Sequence, residues 1–240
     1  MQAIQLDPKD YVFPVEAKNT FTHKNIIKAI HASQHTQRNY DLSKTLPIED
    51  IKTIITAATQ CPSKQNTAFY DLHVIVNQNV INSIYNLTTN VWTDQTGKNK
   101  RLSNPQVLAN MLLIFSQKEK LNPANKHVEV ENMAHDPEAA RIVNNDMHVA
   151  VGIAAGYVNL TASLLGLETG CCSCVMNYDA LKEMLQINTM PLLLMGVGYK
   201  NEGVNRRMHP LAGTEEHTKN NWFEKFPTIK KEGIKINYIK

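Results

Sequence analysis

GIAAGYVNLTASLLGLETG, residues 152–170, is the stretch whose reading decides the fold. It is the second half of a helical pattern that opens at Asp136–Pro137, a capping residue followed by a first-turn proline. The pattern closes at Gly166, where a left-handed C′ residue is expected. From Ala150 to Leu165 it is apolar almost all round and rich in small residues: Gly152, Ala154, Ala155, Gly156 and Ala162. A helix of that kind is buried on most faces, and its small residues let another backbone come close. Its expected place is the centre of the molecule or a subunit interface. The longest apolar run, 149–165, contains Tyr157, Asn159, Thr161 and Ser163, and reads as too short and polar to cross a bilayer.

Working outward, a first helix should start at Thr22 and carry Ile26, Ile27 and Ile30 on one face. A second should begin at Pro47, with Glu49 and Asp50 in its first turn and Ile48, Ile51, Ile54, Ile55 and Ala58 at helical spacing; Pro62 ends it. YDLHVIV (70–76) alternates Tyr70, Leu72, Val74 and Val76 on one side, the pattern of a strand, and a short helix follows over 80–87. The stretch 92–105 is polar and lysine-rich and reads as a loop or irregular helix, whereas VLANMLLIF (107–115) and MPLLLMGVGY (190–199) read as strands covered on both faces. A helix should follow Asn177, with Leu181, Met184 and Leu185 inward. Ile234, Ile236 and Tyr238 alternate in a detached terminal strand that could embrace a partner.

This order of elements predicts an α+β fold, a three-layer sandwich in which helices flank a mixed β-sheet. With no internal repeat or linker, the 240 residues form one domain, with an N-terminal arm over about 1–20 and a C-terminal arm over about 201–240.

Apolar residues make up 42% and charged residues 20% of the chain, as in soluble globular proteins. The net charge of +3 is too small to imply nucleic acid, and nothing marks a membrane or exported protein. Four cysteines, three of them in CCSC (171–174), are too few for a disulfide scaffold, so a cytoplasmic location with reduced thiols is expected. Arg206–Arg207 directly follows a strand end, where two guanidiniums could grip a phosphate.

Several segments, in this order, carry a resemblance: QHTQRNY (34–40), CPSKQN (61–66), the helix at 152–170, and GVGYK (196–200) followed by Arg206–Arg207. From about Asn25 to Pro210 the chain resembles the nitroreductase family. The resemblance implies an α+β sandwich that forms a homodimer through long, buried central helices, with FMN bound at the interface by both subunits. It implies NADH or NADPH as electron donor in a ping-pong reaction, with a nitroaromatic, a quinone or a related acceptor. A relative that performs reductive dehalogenation or flavin destruction, or a non-catalytic flavin-sequestering protein, are the alternatives. In the family the flavin carries the chemistry, so no catalytic side chain is expected.

By position, Gln34, His35 and Thr36 would border the FMN phosphate, Arg38 would face the pyrimidine edge of the ring, and Arg206 and Arg207 would hold the phosphate. The family usually has Arg where Gln34 stands. Pro62, Ser63, Lys64 and Asn66 would pack on the flavin from the other subunit, although Ala68 stands where the family continues differently. Backbone amides of Cys171, Cys172, Ser173 and Cys174, read as a turn, would approach the reactive face of the ring. Buried structural thiols, a metal or a disulfide are the other readings of CCSC. Arg101 and Asn104 would meet substrate from the loop over the pocket. His31 and His35 could form a metal pair on one helix face, but no third ligand is recognisable, so no metal is expected.

Overall fold

The computed structural model describes residues 22–93, 99–118, 136–204, 206 and 237–238. The N-terminal arm, Arg207 and the terminal strand, Asn237 and Tyr238 excepted, lie outside the described residues.

Local chemistry starts and stops the helices where it should. The first, α1 (His23–Ser33), opens on Thr22, whose hydroxyl accepts from the Asn25 amide. The second, α2 (Ile48–Thr59), follows Pro47 and carries Glu49 and Asp50 at its positive end. The third, α3 (Gln78–Asn86), is capped by Asn77. The long α4 (Pro137–Leu164) is capped by Asp136, which accepts from the amides of Glu138 and Ala139. At its far end Gly166 takes φ +74°, and the amides of Gly166 and Leu167 return to the carbonyls of Ser163 and Ala162. The short α5 (Tyr178–Leu185) is capped by Asn177.

One sheet has the order β1 (Tyr70–Ile75), β4 (Met111–Gln117), β6 (Pro191–Gly198), β5 (Glu168–Cys172). Its strand pairs are all antiparallel. Among the described residues, the parallel element expected of a mixed sheet is one bridge, Thr36 to Thr169. Helices α2 and α4 bury Ile54, Ala58, Ala154, Val158 and Ala162 against Leu113, Phe115, Met195 and Val197 on one face. Helices α3 and α5 cover the other, where Ile81, Ile84 and Leu181 meet Leu112, Ile114 and Leu194. The sandwich therefore has three layers, and β4 and β6 are covered on both sides as their unbroken apolar runs predict.

A 3-10 turn, Pro105–Val107, presses its backbone onto this second face. A Cβ on Gly196 would lie 2.2 Å from the Gln106 carbonyl oxygen. One on Gly170 would lie 2.6 Å from the Gln37 carbonyl oxygen and 2.8 Å from the Tyr40 hydroxyl. Glycines are required at both positions because backbone occupies the space a side chain would need. Tyr40, fully enclosed there, donates its hydroxyl toward the carbonyls of Gly196 and Gln106. Burial drives its pKa far up, so it is a neutral phenol.

Several expectations need correction. Residues 92–105 are neither simple loop nor helix: β2 (Asn90–Thr93) and β3 (Asn99–Leu102) form an antiparallel pair, followed by the 3-10 turn. The apolar run 107–115 begins as that turn, and strand starts only at Met111. Cys171 and Cys172 belong to β5 rather than to a turn. Strand β1 ends at the buried Ile75, one residue short of the 70–76 pattern, and Val76 beyond it is exposed. Ile26, Ile27, Ile30 and Ile48, of which only helical spacing was expected, are exposed. Helix α4 is buried on one side only, leaving Val149, Gly152, Gly156, Tyr157 and Leu164 outward. Counted as a whole helix, its 28 residues are long and apolar enough to span a bilayer by length and composition, against the reading of 149–165 alone. In this fold its inner side is the core of the sandwich.

Candidate functional site

Outside the core, α1 ends at Ser33 and the chain turns back along the edge of β5. Thr36 bridges Thr169, and the Gln37 amide donates to the Thr169 carbonyl at 2.8 Å. The Gln37 side chain is fully buried, and its Oε1 accepts from the amides of Arg38 and Asn39. These bonds fix 34–39 against β5. A cleft of about 470 Å³ opens between this segment, α4 and β5. Ser33, Gln34, His35, Thr36, Asn159, Thr169 and Cys171 supply its polar lining, with Ile30 and Gly156 beside them.

Alternation along β5 decides which of its side chains face the cleft. Thr169 and Cys171 point to α4, where the Thr169 hydroxyl donates to Asn159 Oδ1 at 2.5 Å. Burial pushes the Cys171 thiol up, and a hydrogen bond with Asn159 partly opposes that shift. Gly170 and Cys172 point the opposite way. Burial likewise raises the Glu168 carboxyl, with Arg206 and Lys200 acting against it. The Arg38 amide donates to the Arg206 carbonyl at 2.8 Å, which joins the backbones of the two arginines, while the Arg38 charge acts on Tyr40 and the Arg206 charge on Glu168.

The structure thus gathers Gln34, His35, Thr36 and Cys171 around one cleft and holds Arg38 and Arg206 together next to it. It places CPSKQN elsewhere. Lys64 pairs with Asp146 of α4 at 2.7 Å. Asp146 precedes Gly156 by ten residues, about 15 Å along a helix axis. Gln65 and Asn66 both take positive φ, 53° and 55°, in a short 3-10 turn, while Ser63 donates to the Thr67 carbonyl and Pro62 is exposed. Left-handed backbone at two successive non-glycine residues costs free energy and persists only where surroundings hold it.

Arg101 is exposed. Asn104 is not a cleft residue: it is buried, caps the 3-10 turn through Gln106, and donates to Cys172 Sγ at 3.1 Å. Ser173 and Cys174 are exposed beyond β5. His31 meets the Gln34 side chain at 3.3 Å. No cluster of three or more His, Cys, Asp or Glu that could hold a metal occurs among the described residues.

Ile30, Ser33, Gly156, Asn159 and Thr169 line the cleft but were not singled out from sequence. A signal existed: Gly156 and Asn159 are three apart on one helical face, and Thr169 shares strand parity with Cys171.

Residues 32–199 match the sequence profile of the nitroreductase family. The chain belongs to that family. The match runs from the end of α1 to the end of β6 and takes in every residue that lines the cleft except Ile30. No curated protein matches it by sequence. Solved structures share the nitroreductase fold at low identity. A nitroreductase-like protein from Streptococcus mutans has TM-score 0.55 at 19% identity, covering 78% of this chain and 94% of its own. A protein from Exiguobacterium sibiricum, described as a nitroreductase in complex with FMN, has TM-score 0.57 at 15% identity, covering 84% and 97%. One from Staphylococcus epidermidis, described as an NAD(P)H:FMN oxidoreductase, has TM-score 0.54 at 12% identity, covering 76% and 90%.

Proposed function

We infer that this nitroreductase-family chain is a flavin-dependent oxidoreductase that binds FMN in the cleft between the end of α1, α4 and β5. The observation that carries the reading is the convergence of Gln34, His35, Thr36, Asn159 and Thr169 on one space flanked by Arg38 and Arg206. The residues suit that group. A volume of about 470 Å³ falls within the roughly 300–1,000 Å³ of small-molecule sites. Gly156 leaves the α4 side of the cleft open, since nothing lies within 4 Å of where its Cβ would be. Hydroxyl and amide groups suit a phosphate and polyol, and Arg38 and Arg206, joined through their backbones at the same strand, add positive charge to the neighbourhood.

When bound, FMN supplies hydride acceptance from NADH or NADPH and reduction of an acceptor, nitroaromatic, quinone or related. The chain's own residues bind and orient. Arg38 would stabilise the negative charge that reduction brings, and Arg206 with Arg207 would hold the phosphate, whose charge is constant. Nicotinamide and acceptor share one space in turn, a ping-pong order.

A homodimer completes the site. Val149, Gly152, Gly156, Tyr157 and Leu164 form an outward apolar stripe on α4, continued on α1 by Ile26, Ile27 and Ile30. Neither Gly152 nor Gly156 has any atom within 4 Å of a Cβ position, so another backbone can settle there. Two copies of α4 crossing antiparallel near Gly152 would bring the Asp146 end of one toward the Asn159 end of the other. The Lys64–Asp146 pair, and with it Ser63 and Asn66, would then reach the second copy's cleft. Free thiols at Cys61, Cys171, Cys172 and Cys174 support a cytoplasmic location.

The deciding experiment is the visible spectrum of the purified protein after FMN reconstitution, followed by anaerobic titration with NADH and NADPH. A flavin spectrum bleached by either nicotinamide and restored by a quinone or nitroaromatic is expected. A protein that takes up no FMN sinks the cofactor; one that takes it up but is not bleached sinks the enzyme.

A further inference from the structure

Cys172 and Cys174 sit where both roots of the β2–β3 hairpin are fastened, on the side of β5 away from the cleft. Asn104, which follows β3, donates through Nδ2 to Cys172 Sγ at 3.1 Å and to Gln106 Oε1 at 2.9 Å. Its own amide donates to the hydroxyl of Thr88, which precedes β2. The Thr89 amide donates to the Cys174 carbonyl at 2.9 Å, Thr88 bridges Val175, and the Met176 amide donates to the Leu87 carbonyl. The segment 172–176 therefore holds 87–89 and 104 together, and a sulfur atom is the acceptor at one of those joints.

The two thiols are also neighbours. The Cys174 amide donates to Cys172 Sγ at 3.3 Å, which folds the intervening Ser173 into a tight turn. Cys172 is buried and Cys174 is exposed. Burial holds the Cys172 thiol up at about 11, and a hydrogen bond and charge repulsion from the Cys174 thiol add to that elevation. Cys171, on the opposite face of the strand, points into the cleft and away from both.

We propose that Cys172 and Cys174 are a dithiol modification site that closes to an intramolecular disulfide by exchange with a low-molecular-weight disulfide, loosening the root of the hairpin. The exposed Cys174 thiolate attacks the small disulfide, forming a mixed disulfide and expelling one small thiol. Cys172 then loses its proton and attacks Cys174 Sγ, expelling the second thiol. Two protein thiols are oxidised and one external disulfide is reduced to two thiols, so electrons balance. Closure draws Cys172 Sγ toward Cys174 and takes from Asn104 the sulfur it donates to, so the tie between strand β5 and the hairpin root weakens. The proposal does not depend on what occupies the cleft.

The test is intact-mass analysis of the full chain equilibrated with oxidised and reduced glutathione, quenched in acid and alkylated. Expected is the loss of two alkylatable thiols with no glutathione retained. Cys171→Ser should keep this behaviour, Cys174→Ser should abolish it, and Cys172→Ser should trap glutathione on Cys174. Hydrogen exchange over 87–104 should quicken about tenfold in the oxidised chain and not in Cys174→Ser under the same oxidant. A stable glutathione adduct on the unsubstituted chain, no thiol loss, or a closure that Cys171→Ser removes would overturn the site. A closed disulfide with unchanged exchange over 87–104 would overturn its effect on the hairpin.

Discussion

The two faces of β5 are finished in opposite ways. Toward α4, Thr169 and Cys171 look onto an open cleft with a hydrogen bond to Asn159 as its floor. Toward the 3-10 turn, Gly170 is pressed against the Gln37 carbonyl and the Tyr40 hydroxyl with no room for one more carbon. The difference shows how an edge strand can carry a site. The packed face fixes the strand, so the open face keeps its geometry without help from whatever binds there. On the opposite edge strand, β1, the half-buried His73 is hydrogen-bonded to the buried Ser116.

The largest expected effect is on the open side. Changing Arg206 and Arg207 together to Ala should raise the FMN dissociation constant by more than tenfold, at about 1.5–3 kcal/mol for each charged hydrogen bond lost. Fluorescence titration of apoprotein measures it, and an unchanged constant would remove these arginines from the phosphate. On the packed side, Gly196→Ala puts a carbon where the Gln106 carbonyl oxygen stands. It should lower stability by about 1–3 kcal/mol, the usual range for overpacking, in urea unfolding. Gly156→Ala, whose Cβ meets nothing, should leave the isolated fold as stable or more so. Equal losses at the two glycines would erase the distinction between faces.

Gly156→Leu sharpens it further. Nothing in the chain itself lies within 4 Å of a Cβ at this position, whereas a partner backbone settled there would meet the side chain. Circular dichroism should be unchanged while dimer dissociation rises at least about tenfold, or 1.4 kcal/mol, by light scattering. A folded, equally tight dimer would move the interface off α4.

The smallest effect concerns His73. Burial lowers its pKa from 6.5, with Asp71 acting in the opposite direction. A depressed folded pKa means the unfolded chain binds the proton more readily. The stabilisation is therefore complete above 6.5 and is lost as pH falls below it toward the folded value. His73→Gln should flatten the stability profile between about pH 7 and about pH 5, the window of histidine titration. An unchanged slope would mean His73 titrates as it does unfolded.

What the sequence disclosed divides along the same line between local and assembled features. Caps at Thr22, Asp136–Pro137 and Asn177, and the C′ glycine at Gly166, were legible because each is set by residues within one turn. The covered strands β4 and β6 announced themselves by unbroken apolar runs. Strand β5 did not, because ETGCC has little β-branched character and spends Gly170 on the approach of Tyr40, a residue remote in sequence. The hairpin strand NKRL reads as a charged loop for the same reason. Asn104 drew attention as a polar residue among cations, yet its hydrogen bonds point inward. Ile26, Ile27 and Ile30 have helical spacing, but spacing cannot say whether the surface they face belongs to their own chain.

The bond from the Tyr40 hydroxyl to the Gly196 carbonyl joins residues 156 positions apart, and Ser163 reaches Ala29 across 134. A ribosome adds roughly 5–20 residues per second. The segment that carries Gln34 to Tyr40 must therefore wait for several seconds before β5 and β6 exist for it to lie upon. Long closures of this sort slow folding. Helices α2 and α3 can form early, but the cleft cannot exist before β5 has been made, since Thr169 and Cys171 line it.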